Sequence, residues 1–267
     1  MFLGWGFGGK APEKPESPQL AIRTLFGYTI IMERERRIHL RPRLAAAARL
    51  IGQAHAVADI GCDHGRLSVA LLQSGAVGRS IASDISAASL EKARALAAYV
   101  GLQDRMETRC AGGFHALSEQ EADAVAICGM GGTLILEILS EARIPLMGAK
   151  KAVFQPMRGI EELRSYLYAA NYRVHEDVIV HDAGRFYQVF SVVVGQDVLP
   201  EGWPEDFFGL GPRAMGEDLF VPLARQLLAQ VQARLRKAVG TRGEAALQKT
   251  AQDLQTVLRL RGNGYEA

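Results

Sequence analysis

Acidic and glycine residues at the ends of two apolar runs are the first candidates for chemistry in this sequence. Residues 56–60 form a short apolar run that contains Asp59, Gly61 follows it directly, and a helix is predicted to begin near Gly65. Such a run before a glycine turn is typical of a buried parallel strand that leads into a helix. Because glycine lacks a Cβ, the backbone there can approach a ligand closely. The pattern favours a nucleotide-like cofactor; an ordinary strand-to-helix turn is the plain alternative.

Asp84 ends the next predicted strand, 79–85, and follows Gly61 by 23 residues. In a doubly wound sheet, an acid at this place accepts hydrogen bonds from a ribose diol. The alternative role is an N-cap for the helix predicted over 86–100. The sequence contains neither GxGxxG nor GxxxxGK[ST], so a phosphate-cradling loop is not predicted. S-adenosylmethionine, which carries adenosine but no phosphate, suits this combination.

A second glycine-rich loop follows the strand predicted over 122–128. Gly129, Gly131 and Gly132 surround Met130, and so many glycines at a strand end indicate a backbone that comes close to another molecule. The alternative is a tight turn without a ligand. In a doubly wound sheet, this strand end faces the crevice beside the cofactor, where a second substrate would lie.

The apolar runs and periodic segments around these loops predict an α/β fold with a doubly wound sheet. Helices are expected at 44–51, 66–73 and 160–170, and strands at 105–110 and 150–154. The runs 173–181 and 186–194, around the turn 182–185, have the pattern of a hairpin, so the sheet should finish with an antiparallel pair. Residues 32–198 are therefore predicted to form one catalytic-type domain.

The C-terminal segment, 199–267, is predicted to be a separate helical domain that begins its helices at Glu217. Apolar residues recur at steps of three and four on both sides of the break 240–243, which predicts an antiparallel helical hairpin. The hairpin also carries a surplus of cations, which could form a solvated face or an arm that grips a nucleic-acid backbone. These residues are Arg225, Arg234, Arg236, Lys237, Arg242, Lys249, Arg259 and Arg261.

Composition limits the function classes without choosing one. The 267 residues are 48% hydrophobic and carry a formal net charge of +2, which permits a nucleic-acid partner but does not require one. Cys62, Cys110 and Cys128 form no CxxC pair, so neither a disulfide framework nor a metal site is predicted. No apolar stretch is long enough to span a membrane. We expect a monomer in the cytoplasm.

The N-terminal residues 1–31 differ from the rest of the chain. They are rich in Gly and Pro and lack a hydrophobic period, so a disordered arm is predicted, and they do not have the order of a secretory signal. The run 33–43 that follows contains five arginines. It is either a solvated basic face or an edge that contacts phosphates beside the cofactor cleft.

Three separated motifs give the sequence a resemblance to a known family. DIGCDHGRL, ICGMGG and FQPMRGIEELRSYLYAANYRVHEDVIVHDAGRFYQVF occur in that order, and together they resemble the bacterial tRNA (adenine-22-N1)-methyltransferase family over residues 40–195. The resemblance implies a class I methyltransferase (Rossmann-like) fold, with seven strands and an antiparallel last strand. It also implies S-adenosyl-L-methionine as methyl donor and tRNA as substrate.

The resemblance also implies roles for individual residues. Asp63 and His64 match the family's cofactor loop. For the reaction itself, we expect Asp63 to stabilise the charge that develops on the methylated ring, with His64 as the alternative, and Met130 to pack on the target base. The other role open to Asp63 and His64 is to position the loop or the methionine tail of the cofactor. The implied cofactor-binding residues are Asp59, Gly61, Asp84, Gly112, Gly113 and Gly129. The implied substrate-binding residues are Arg43, Gly131, Gly132, Gln155 and Pro156.

Two positions depart from the family pattern. The family usually has Gly-Asp-Gly or Gly-Asn-Gly where this chain has Ala111-Gly112-Gly113, so the polar side chain that faces the adenine is absent. The family also commonly has Asn where this chain has Met157. Both departures concern recognition of the cofactor and the base rather than the fold.

The reaction implied is direct methyl transfer to N1 of an adenine, with the protein supplying alignment and a dry pocket. The target base must leave its stack to expose N1, at a cost of about a few kcal/mol. Two other classes remain open on the sequence alone. One is a methyltransferase of a small molecule or a protein, and the other is a non-catalytic RNA-binding relative.

Overall fold

The strands of this chain form a single sheet in the computed structural model, which describes residues 37–262. The predicted disordered arm, 1–31, lies outside the described residues. Within them the seven strands are β1 (Ala54–Ile60), β2 (Val77–Asp84), β3 (Met106–Cys110), β4 (Ala124–Cys128), β5 (Lys151–Gln155), β6 (Tyr172–Asp182) and β7 (Arg185–Val194).

The sheet order is β3-β2-β1-β4-β5-β7-β6. Strands β1 to β5 pair in parallel, whereas β7 runs antiparallel to both β5 and β6. The predicted doubly wound sheet with an antiparallel last strand is thus confirmed. The strand order reverses at β1 and β4, which places a topological switch point between their carboxyl ends.

Seven α-helices belong to the part of the chain that the structure describes. They are α1 (Pro42–Ile51), α2 (Arg66–Gln73), α3 (Ala87–Tyr99), α4 (Gly132–Ser140), α5 (Ile160–Ala169), α6 (Phe220–Ala238) and α7 (Glu244–Gly262). Helices α1, α2 and α3 pack on one face of the sheet, and α4 and α5 pack on the other. The alternating side chains of each central strand supply both cores: Ala126 faces the first, and Val125 and Ile127 face the second.

The C-terminal helices share a third hydrophobic core. Helices α6 and α7 pack on each other as the predicted hairpin, and Leu223, Val231, Leu254 and Val257 all belong to this core. Helix α6 begins at Phe220 rather than Glu217, because the backbone of Glu217 is extended, with φ −70° and ψ 140°, after the 3₁₀ turn at Pro212–Gly216. The described residues from Ile38 onward belong to one compact unit. The predicted domain boundary between residues 198 and 199 stays a prediction.

A buried ion pair joins the segment before α6 to the sheet. Nη2 of Arg164 donates to Asp177 Oδ2 at 2.7 Å and to Gln188 Oε1 at 3.0 Å, and both charged side chains are fully buried. Gln188 in turn donates from Nε2 to the carbonyl of Gly209 at 2.8 Å. A Cβ at Gly211 would overlap with the Asp177 carboxylate, so only glycine allows the backbone to cover the pair.

Candidate active site

A cavity of about 670 Å³ opens at the carboxyl ends of β1, β2 and β4, beside the switch point. The loops that follow β1, β2, β3 and β4 form its walls. Most of the predicted site residues line it. They are Arg43, Asp59, Gly61, Asp63, His64, Asp84, Gly112, Gly113, Gly129 and Met130.

The loop after β1 is bound to the end of β2. The amides of Gly61 and Cys62 donate to the Ser83 carbonyl at 2.8 and 2.9 Å. The amide of Asp63 donates to Asp84 Oδ2 at 3.0 Å, and Asp84 Oδ1 accepts from the Ser86 amide at 2.8 Å. The alternative in which Asp84 caps α3 is therefore wrong. Ser86 is the N-cap, since its hydroxyl accepts from the Ser89 amide.

Asp59 lies beneath this loop and is 3% exposed. Its Oδ2 accepts a hydrogen bond from the Ser68 hydroxyl at 2.7 Å, which ties the end of β1 to α2. Burial raises the pKa of Asp59 to about 6, against the effect of the Ser68 hydrogen bond, which lowers it. The carboxyl of Asp59 is thus buried beneath the loop and bound to α2 through Ser68.

Asp63 and His64, the two alternatives for stabilising developing charge, form a pair. Asp63 Oδ2 lies 2.7 Å from His64 Nδ1. Both side chains are accessible from the cavity, with 69% and 43% of their surfaces exposed. They can therefore act as one unit, in which the carboxylate orients the imidazole ring.

Met130 lies across Gly61, so the two glycine loops are in contact. A Cβ at Gly61 would overlap with Cε of Met130, and Gly61 has a φ of 69°, in the left-handed region. The left-handed backbone favours glycine at this place, and a larger residue would also displace the terminal methyl of Met130. The loop after β1 and the loop after β4 therefore share the floor of the cavity.

The loop 129–132 is fixed to the segment after β5 by backbone hydrogen bonds. Gly129 donates to the Gln155 carbonyl at 3.0 Å, Met157 donates to the Met130 carbonyl at 2.8 Å, and Gly132 donates to the Arg158 carbonyl at 2.7 Å. A Cβ at Gly132 would overlap with the carbonyl of Gly159, so this glycine permits close packing of two backbones. The loop is consequently rigid on the side away from the cavity.

Four predicted substrate-binding residues lie outside the cavity lining: Gly131, Gly132, Gln155 and Pro156. Gln155 is fully buried and accepts a hydrogen bond at Oε1 from Arg43 Nη1 at 2.9 Å. The sulfur of Met157, where the family commonly has Asn, lies 3.7 Å from the same Arg43 nitrogen and 3.6 Å from Gln155 Nε2. Gln155 and Met157 thus support Arg43, and substrate binding by the four residues stays a prediction.

Several residues of the cavity wall belong to no motif of the sequence. Ile85 is 81% exposed and Leu134 is 46% exposed, although both are apolar. Glu137 and Glu141 also line the wall, with the carboxylate of Glu141 next to Gly113. Only Ile85 had a signal in the sequence. It is an apolar residue directly after the acid that ends a strand, where a turn is usually polar.

Other chemistries find little support in the described residues. Burial raises the pKa of the Cys62 and Cys128 thiols, so both stay protonated and are poor nucleophiles. Between residues 37 and 262, no cluster of His, Cys, Asp and Glu has the arrangement of a metal site. The same range contains no helix long and apolar enough to cross a membrane.

The seven-stranded sheet with its antiparallel last strand, and the cavity at its switch point, define a class I methyltransferase fold. The chain belongs to the methyltransferase domain family, whose model matches residues 40–190.

The chain is 30% identical to the tRNA (adenine(22)-N(1))-methyltransferase of Bacillus subtilis over 158 residues, which cover 59% of this chain and 66% of that protein, just under two thirds. A Streptococcus agalactiae protein of the NADB-Rossmann superfamily is 27% identical, with a TM-score of 0.75 and coverage of 83% and 98%. A Streptococcus pneumoniae protein, proposed to be a tRNA (m1A22) methyltransferase and solved with S-adenosyl-L-methionine, is 26% identical, with a TM-score of 0.71 and coverage of 81% and 98%.

Proposed function

We propose that this chain transfers a methyl group from S-adenosyl-L-methionine to N1 of adenine 22 in tRNA. The relatives from B. subtilis and S. pneumoniae support the substrate and the cofactor. The observation that carries the proposal is the position of Asp84. Its carboxylate binds the loop after β1, and Asp84 lines the same cavity as Gly129 and Met130. In this proposal Asp84 binds the ribose of the cofactor and the loop that contains Gly129 and Met130 binds the target base.

The charge of the cavity lining fits this cofactor. Among the described residues that line it, five are carboxylates, against Arg43 and Arg66 and two histidines. The carboxylates are Asp59, Asp63, Asp84, Glu137 and Glu141. Carboxylates attract the sulfonium and ammonium groups of S-adenosylmethionine, whereas they repel the phosphates of a dinucleotide.

The wall next to Asp84 fits an adenine ring. Ile85 and Leu134 present exposed apolar side chains to the cavity, and Ile138 lies behind Gly113. In this proposal Asp84 accepts hydrogen bonds from the ribose hydroxyls and the apolar residues enclose the adenine. When bound, the cofactor supplies an electrophilic methyl group on a sulfonium that is already a good leaving group.

The residues of the chain would then align the target base and exclude water. The proposal places Met130 against the adenine of the tRNA, because Met130 already forms the floor between the two loops. Methylation of N1 makes the ring cationic. In this proposal the Asp63 carboxylate, which is paired with His64 in the cavity lining, stabilises that charge.

The proposal assigns tRNA binding to the C-terminal hairpin. On α6, α7 and their connection, seven of the eight predicted cations have exposed side chains. They are Arg225, Arg234, Arg236, Lys237, Arg242, Lys249 and Arg259. Such a surface can contact backbone phosphates over several nucleotides. The proposal includes a monomer that acts in the cytoplasm, where tRNA is found.

The deciding experiment is methylation of tRNA transcripts with labelled S-adenosylmethionine, followed by mapping of the modified nucleotide. We expect label at N1 of adenine 22 and none in a transcript with guanine at that position. Label at another nucleotide would overturn the assigned position. Absence of label in tRNA, with label in a small molecule or a protein, would overturn the substrate class, and absence of cofactor binding by calorimetry would overturn the enzyme assignment.

A further inference from the structure

Two arginines at the start of α1 share one supporting carboxylate, and the second of them, Arg43, lines the cavity. Arg41 donates to Asp182 Oδ1 from Nε at 3.2 Å and from Nη2 at 2.9 Å. Arg43 Nε lies 3.7 Å from Asp182 Oδ2. One carboxylate at the end of β6 therefore binds two guanidinium groups that lie about 140 positions earlier in the sequence.

The support is buried, but the arginines are not. The Asp182 side chain is 6% exposed, whereas 60% of Arg41 and 25% of Arg43 are exposed. Arg43 is also held by the fully buried Gln155 and lines the cavity next to Gly129. The guanidinium groups are thus fixed in place while their outer edges remain available to a ligand.

The net charge at this place is positive. Two cations share one carboxylate, and the N-terminus of α1, which begins at Pro42 between the two arginines, adds the positive end of a helix dipole. Guanidinium groups match phosphate oxygens in geometry and charge, and helix N-termini favour anions. Most of the charged side chains that line the cavity are carboxylates, so an anion is favoured beside Arg41 and Arg43 rather than deeper inside.

We propose that Arg41 and Arg43 bind a backbone phosphate of the RNA next to the target nucleotide, and that Asp182 is the positioning residue for both. This inference rests on the proposed function for the nature of the substrate. A phosphate fixed here would set the depth to which the adjoining base reaches toward Gly129 and Met130.

The first test compares Arg41→Gln with Arg49→Gln. Both arginines belong to the same N-terminal segment and are 60% exposed, but Arg49 is at the far end of α1 and lies near Glu176. Binding of an unmodified tRNA transcript is measured without cofactor at several salt concentrations. Arg41→Gln should weaken binding about fivefold or more and reduce the slope of log Kd against log salt by about one. Arg49→Gln should change neither.

The second test concerns Asp182. Asp182→Asn should raise KM for tRNA with little change in kcat or in affinity for S-adenosylmethionine, because its carboxylate acts through the arginines. The double variant Arg41→Gln with Asp182→Asn should be less impaired than the two single effects combined. Melting temperatures of all variants show whether the fold is intact. A merely structural Asp182 would instead lower the melting temperature and cofactor affinity together.

These outcomes separate the inference from the proposed function. If the wild-type chain binds tRNA through Arg41 but transfers no methyl group, the proposed function fails and the phosphate site stands. If adenine 22 is methylated while Arg41→Gln binds tRNA as Arg49→Gln does, the phosphate site is wrong. Absence of measurable tRNA binding by the wild-type chain also overturns it.

Discussion

The amide of Asp63 donates a hydrogen bond to Oδ2 of Asp84, at 3.0 Å, and so fastens the loop after β1 to the end of β2. The same carboxylate is the proposed acceptor for the ribose of the cofactor. One side chain thus shapes the loop and presents oxygens to the ligand, since each carboxylate oxygen can accept more than one hydrogen bond.

Replacement of Asp84 by Ala should therefore weaken cofactor binding strongly. Loss of hydrogen bonds to a charged acceptor costs about 1.5–3 kcal/mol, or roughly ten- to a hundredfold in Kd for S-adenosylmethionine. Calorimetric titration measures the effect. Glu91→Ala, which removes an exposed acid from α3, is the control and should leave Kd unchanged. Equal affinity of the Asp84 variant and the wild-type chain would contradict the ribose assignment.

The left-handed backbone of Gly61 makes Gly61→Ala a destabilising change. A Cβ at this place overlaps with Met130 and also meets a left-handed backbone, with φ at 69°. We expect a loss of about 1–2 kcal/mol in the free energy of unfolding from the backbone alone, measured by urea denaturation, together with weaker cofactor binding.

Two further variants divide this effect into its parts. Gly75→Ala has a similar φ, 71°, but no atom within 4 Å of its Cβ, so it measures the backbone cost by itself. Adding Met130→Ala to Gly61→Ala should remove the overlap. The double variant should therefore regain only the part of the lost stability that exceeds the backbone cost measured with Gly75→Ala. A Gly61→Ala variant no less stable than Gly75→Ala would show that the overlap has no energetic weight.

The buried carboxyl of Asp59 should make the fold less stable as pH rises from 4 to 6. Burial raises its pKa to about 6, above the value of about 4 in an unfolded chain. The folded chain therefore retains a proton between pH 4 and 6 that the unfolded chain has lost, and this contribution to stability fades as pH rises through 6. Asp59→Asn should flatten that part of the profile and stabilise the fold at pH 7, by at most about 3 kcal/mol.

Urea unfolding across pH 4–8 provides the measurement for Asp59, and calorimetry provides its counterpart. Because Asp59 lies under the cofactor loop, the more stable Asn variant should bind S-adenosylmethionine more weakly. Ser68→Ala, which removes the hydrogen bond to the ionised carboxylate, should have the opposite effect on stability at pH 7. Parallel pH profiles for Asp59→Asn and the wild-type chain would refute the assignment.

The missing polar side chain at position 112 can be restored. Gly112 has φ −88° and ψ 145°, which any residue adopts, and its Cβ would lie 3.3 Å from the exposed Ile85, which can shift. Gly112→Asp should tighten binding of S-adenosylmethionine about tenfold if the carboxylate reaches the adenine amine. Gly113→Asp is the matched control: its φ is 53° and Ile138 lies 3.3 Å from the new Cβ, so binding should weaken.

The sequence was most informative where neighbouring strands determine the site. Asp84 meets the loop after Gly61 because parallel neighbours β1 and β2 end at the same edge of the sheet, and the spacing of apolar runs predicts that pairing. Helix α2 was predicted with its observed bounds, since a glycine precedes it and its apolar period is clear.

Contacts between residues far apart in the chain could not be predicted from the local sequence pattern. Gln155 is fully buried and accepts a hydrogen bond from Arg43, 112 positions away in the sequence, and no local pattern predicts that contact. Asp182 was read only as part of a turn, although its carboxylate supports both Arg41 and Arg43. Such roles depend on which loops meet in three dimensions, and the exposure of Ile85 depends on the shape of the cavity.

The backbone at Gly209 and Gly211 covers the buried pair of Arg164 and Asp177. The segment that leads to the C-terminal helices therefore also shields this ion pair from water. Either charge would be costly to bury without its partner. A chimaera that exchanged these helices between relatives would need to keep residues 207–216 with their own sheet. The junction suited to recombination lies after this segment, at the start of α6, rather than at the last strand.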